Sequence, residues 1–120
     1  MKLRISNQLH GQLKTISDAL FMDLSEITRR SLRAFWRLDE GERCSILAKH
    51  APTTRDDSTV ITLEDIGAEL TCYDTDTGGD TLTGADLRAV LEWRIPEAAR
   101  AVREFYRIGC CQAEVYEVAP

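Results

Sequence analysis

Lys2, Arg4 and Ser6 form the polar half of an alternation whose apolar half is Met1, Leu3 and Ile5. A period of two belongs to a β-strand and sends all three polar side chains to one face. Lysine and arginine so spaced donate hydrogen bonds to guanine edges or to phosphates, and a serine hydroxyl serves either purpose. The charge distribution singles out the same end. Residues 1–37 hold seven Lys/Arg against three Asp/Glu, a net +4, and residues 38–120 hold eight against seventeen, a net −9. A chain of formal charge −5 thus carries a basic head on an acidic body, and the head is the part suited to a polyanion.

Other groupings carry less chemistry. Asp74, Asp76, Gly79 and Asp80 fit the start of a calcium loop, but its fifth and twelfth positions are Gly78 and Ala85, which supply no side-chain oxygen. Cys110 and Cys111 are adjacent, no CxxC occurs, and Cys44 with His50 lacks a second ligand pair. A structural zinc site needs four ligands in close pairs, so these residues read as small packing residues with reduced thiols. His10 lies near the apolar side of the first helix, which suits packing better than catalysis. No Gly-rich phosphate loop and no GxSxG occurs. The expectation is a chain with no enzyme activity, no metal and no cofactor. No apolar run approaches the ~20 residues of a membrane span, and the first residues lack the apolar core of a secretory signal, so a cytoplasmic location is expected.

The basic strand needs elements to hold it. Leu9, Leu13, Ile16 and Leu20 recur at offsets of 4, 3 and 4, one face of a helix that Ser6 or Asn7 caps. In "MDLSEITRRSLRAFW", Asp23 followed by Glu26 forms a capping box, so a second helix starts near Leu24. Leu24, Ile27, Leu32, Ala34, Phe35 and Trp36 are too broad for one stripe, as in a helix buried on several sides. Gly41 is placed to end it. A lone strand leaves both edges unpaired, and a unit under ~45 residues has a marginal core. Dimerisation answers both needs: two strands pair antiparallel across a two-fold axis, and four helices close one core. Such a two-stranded ribbon fits the DNA major groove.

Residues 1 to about 37 therefore resemble the ribbon-helix-helix family of dimeric DNA-binding repressors. The resemblance rests on "LRI", on Leu9, Leu13, Ile16 and Leu20, on the tight turn, and on "SEITRRSL". It implies that the outward strand residues Lys2, Arg4 and Ser6 face DNA. It also implies that the second helix holds a phosphate at its N-terminus around Leu24 and Ser25, with Arg29 and Arg30 nearby. The implied dimer core is Leu3, Ile5, Leu9, Leu13, Ile16, Leu20, Ile27, Leu32 and Phe35. The chain departs from the pattern at Ser6, often Pro, at Phe21, often Gly, and at Asp23, a carboxylate where a phosphate would approach. Pairing of the second-helix arginines with Glu26, Asp39 and Glu40 competes with DNA contact.

"KHAPTTRDDS" reads as a polar linker. Beyond it, Val60 and Ile61 lie in a β-branched run and "ELTCY" alternates, so Gly67 is placed to turn a hairpin; a short helix over "TLEDIGAEL" is the alternative. "LTGADLRAVLEWRI" is a helix started by Thr83 and Asp86, Pro96 begins a fresh helix, Gly109 ends it, and "CCQAEVYEVAP" alternates as a last strand. The expected architecture is α+β: an intertwined ribbon-helix-helix dimer over 1–45, a linker over 46–58, and a small acidic α+β domain over 59–120, ordered β-β-α-α-β. The expected function is sequence-specific repression by a homodimer on double-stranded DNA, at a palindromic operator on a mobile element. The alternative is a protein-interaction module, an antitoxin or a phage-type inhibitor, whose N-terminal unit dimerises and whose acidic domain binds a protein.

Overall fold

The computed structural model describes residues 1–49, 56–74 and 78–108, and the fold is mixed α+β. Strand β1 (Lys2–Ser6) leads into helices α1 (Asn7–Leu20), α2 (Leu24–Trp36) and α3 (Glu40–Ala48). Strand β2 (Ser58–Thr62), the short helix α4 (Gly67–Leu70), strands β3 (Thr71–Asp74) and β4 (Gly78–Thr81), and the long helix α5 (Gly84–Ile108) follow. β3 and β4 form one antiparallel pair, β1 and β2 the other.

The strand pairing corrects the expected dimer ribbon. β1 pairs antiparallel with β2 of its own chain, in the register Lys2↔Thr62, Leu3↔Ile61, Arg4↔Val60, Ile5↔Thr59 and Ser6↔Ser58. The register follows from burial. Leu3, Ile5 and Ile61 are buried, while Lys2, Val60 and Thr62 are exposed, and a slip of one residue would turn each strand inside out. Backbone bonds extend the pair: the Leu63 N–H donates to the Met1 carbonyl (2.7 Å), and the Asn7 N–H donates to the Asp57 carbonyl (2.9 Å).

The core closes in the same way. Leu3, Ile5, Leu9, Leu13, Ile16, Ile27, Leu32 and Phe35 are all buried, with Leu20 partly buried at the margin. These are the residues assigned above to a dimer core. Here they form one cluster with Ile61, Leu63 and the inner face of α5, which packs on α1, α2 and α3. Phe35 sits edge-on to Trp36 of α2 and to Trp93 of α5, with ring centroids 5.1 and 6.4 Å away. The expected boundary between 1–45 and 59–120 is therefore not a boundary in packing. Both needs that called for a second protomer, a strand partner and core volume, are met within the chain.

Several local expectations change too. α2 stops at Trp36, and Gly41 lies inside α3, a helix absent from the sequence reading. Asp39 caps α3, accepting from the Glu42 N–H at 2.8 Å. Gly67 begins α4 rather than turning a hairpin, so the helical alternative for that stretch is the closer one. Pro96 does not separate two helices: α5 runs through it. Leu87, Leu91, Ile95, Ala98 and Val102 stay buried in one stripe across the proline, which is itself exposed. A proline on the solvent side is tolerated because the carbonyl four residues back, which loses its donor, and the ring are turned toward water while the packed face continues. The expected linker over 46–58 falls on the end of α3, on 50–55 and on Ser58, which opens β2, and the expected last strand falls on 110–120. Residues 50–55, 75–77 and 109–120 lie outside the described residues, and with them the helix end expected at Gly109 and the Asp76 position of the acidic turn.

Candidate nucleic-acid interface

The open face of the β1–β2 ribbon is built by the pleat. Leu3, Ile5 and Ile61 anchor its inner face, so Lys2, Arg4 and Ser6 turn outward from one strand and Ser58, Val60 and Thr62 from the other. Lys2 lies opposite Thr62, Arg4 opposite Val60, and Ser6 opposite Ser58. The Arg4 Nη1 donates to Ser58 Oγ at 2.8 Å, a diagonal bond across the ribbon that holds the guanidinium along the face. Ser6 also caps α1, its Oγ accepting from the Leu9 N–H at 3.1 Å. Val60 keeps 46% of its surface exposed. The surface thus offers two cationic donors, three hydroxyls and one branched apolar group. That inventory matches the donors, acceptors and thymine methyls of a major groove.

The second predicted cluster, at the start of α2, is used differently. Asp23 caps the helix, Oδ1 accepting from the Glu26 N–H at 2.7 Å. Ser25 Oγ accepts from the Glu64 N–H at 2.9 Å, and the Leu24 carbonyl accepts from the Thr28 hydroxyl at 2.8 Å. Arg29 donates to the Glu64 carbonyl at 3.1 Å and pairs with Glu26 Oε2 at 2.6 Å. Arg30 pairs with Glu26 Oε1 at 2.9 Å. Hydrogen bonding from Arg29, reinforced by Arg30, holds the Glu26 carboxyl below the usual carboxylate range, and the same contact pushes the Arg29 guanidinium up. Further along the same side, Arg33 meets Glu69 at 3.2 Å and Trp36 Nε1 donates to the Glu69 carbonyl at 2.6 Å.

No family model, no curated protein and no solved structure matches this chain.

The α2 arginine side is thus a clasp. Ser25, Arg29, Arg33 and Trp36 fasten the segment 64–69 that follows β2, and this holds β2 against β1. The structure brings Lys2, Arg4 and Ser6 onto one face; it brings Arg29 and Arg30 together on Glu26, and Ser25 and Arg29 together on the backbone of Glu64, all of them intramolecular partners. The site residues missing from the sequence reading are Ser58, Val60 and Thr62. Their signal was the unbroken β-branched run in "STVIT", which marks a strand without naming its partner more than fifty positions away. Exposed acids flank the ribbon, with Asp56 and Asp57 at one end and Glu64 and Asp65 at the other. Among the described residues no three His, Cys, Asp or Glu side chains converge as a metal site, and no helix is long and apolar enough to cross a membrane.

Proposed function

We propose that this protein binds double-stranded DNA by laying the β1–β2 ribbon in the major groove, and that it represses transcription by occupying its site. The observation that carries the reading is the ribbon face itself: Lys2 and Arg4 project from a two-stranded ribbon, and Ser58 fixes the arginine in place. Arg4 bonded to guanine supplies ~1–3 kcal/mol of base discrimination. Because the ribbon is complete within one chain, a second protomer is not required to form it. The phosphate contact at the start of α2 is no part of this reading, since Asp23 and Glu26 occupy that end with carboxylates.

The test is a fluorescence-anisotropy titration onto duplexes from upstream of the gene, beside scrambled duplexes and the Lys2→Ala/Arg4→Ala variant. Preferential binding that the variant loses is expected. Equal binding to all duplexes, or none at low salt, would overturn the reading.

A second reading has its own observation. The arginines of α2 are paired internally, and acids flank both ends of the ribbon. Under this reading the chain is an antitoxin or phage-type inhibitor whose acidic surface engages a basic protein, and the Lys2→Ala/Arg4→Ala variant retains that partner.

A further inference from the structure

The two strands of the ribbon differ. In a ribbon made of two copies of one strand, both halves would present the same side chains and the site read would be a palindrome. Here β1 presents Lys2, Arg4 and Ser6, and β2 presents Ser58, Val60 and Thr62. The β1 half is cationic. The β2 half is uncharged, with two hydroxyls and an exposed branched hydrocarbon.

We infer that β2 is a second, chemically distinct reading strand, so that the chain recognises a non-palindromic duplex site, with Val60 packing on a thymine methyl beside the guanine contacted by Arg4. The inference rests on the DNA-binding reading above. Val60 supports it by its placement. It faces out between Ser58 and Thr62, remains 46% exposed, and lies directly across from Arg4. A valine there has no core to fill, and a methyl group is the only feature of a base edge that an aliphatic side chain recognises. Thr62, across from Lys2, reads by its hydroxyl. Ser58 acts through Arg4: its Oγ accepts the guanidinium bond, so it is a positioning residue.

The experiment is selection of bound duplexes from a randomised library by the full chain, followed by titration of the selected duplex with thymine and with uracil at each selected T. Uracil lacks only the C5 methyl. The wild type is expected to select an asymmetric consensus containing G and T, and to bind the uracil duplex several-fold more weakly. Val60→Ser should bind both duplexes equally, a within-variant comparison that global folding does not affect. Ser58→Ala should weaken the guanine preference and leave the thymine preference in place. A palindromic consensus, or a uracil penalty unchanged in Val60→Ser, would overturn the inference while leaving DNA binding standing. A wild type that selects no consensus would overturn both.

Discussion

At the scale of single residues, one position carries a conformational cost and another an electrostatic gain, and both can be measured. Phe21 ends α1 at φ 54°, in the left-handed region, and is 88% exposed. A side chain there costs ~1–2 kcal/mol that glycine does not, and little packing is lost with the ring. Phe21→Gly should therefore raise stability by about 1 kcal/mol, read as a higher urea midpoint with an unchanged slope. Glu26 is the electrostatic case. Its carboxyl is held low by Arg29 and Arg30, so the unfolded chain binds its proton more readily than the folded one. The stability it contributes is complete above the ordinary carboxyl pKa of ~4.3 and is lost as pH falls through the lowered value. Thermal melts of wild type and Glu26→Gln should differ at neutral pH and converge on acidification. A gap that persists below that window would exclude the pairing as the cause.

At the scale of elements, helix starts were the most legible feature of the sequence, because a cap is a local chemical event. Ser6, Asp23 and Thr83 with Asp86 all cap where their spacing placed them. Asp39 with Glu42 carries the same signature and marks α3, but the fading apolar pattern around "RLDEGER" hid it. Pro96 misled for a physical reason: the rule against helix-internal proline concerns a backbone bond, whereas the buried stripe from Leu87 to Val102 decides whether the helix continues. Pro96→Ala restores a donor without disturbing that stripe, and should stabilise the fold by up to ~3 kcal/mol. Chemical denaturation checks it; destabilisation would mean that the helix depends on a kink there. Strand partnership was not legible at all. Periodicity said which face of β1 is buried, but pairing with residues 58–62 is settled by long-range packing and by the α2 clasp, neither of which leaves a local pattern.

At the scale of the whole molecule, one chain closes the ribbon and the core that its first third suggests for two. The predicted core was legible because burial follows side-chain chemistry, whichever chain supplies the opposite wall. That wall is α5. Phe35 joins it through Trp93, and Phe35→Ala should cost ~3–5 kcal/mol and melt the N-terminal elements and α5 together in one transition. Two separate transitions, followed by tryptophan fluorescence and by far-ultraviolet dichroism, would mean independent units. The charge pattern sets a limit on the DNA contact proposed above. With Lys2 and Arg4 as the cationic side chains on the ribbon and the Met1 ammonium held at its end by the Leu63 carbonyl, binding should depend on salt with a log–log slope no steeper than about −3; a markedly steeper slope would place the contact on another surface.

On the function proposed above, a single chain presents a complete DNA-reading ribbon. Sedimentation velocity of a fluorescent selected duplex with the protein at low salt tests it most directly, with the Lys2→Ala/Arg4→Ala variant alongside. One chain per duplex site, lost in the variant, is the predicted result. A complex that forms only with two chains per site, or that the variant forms equally well, would contradict it.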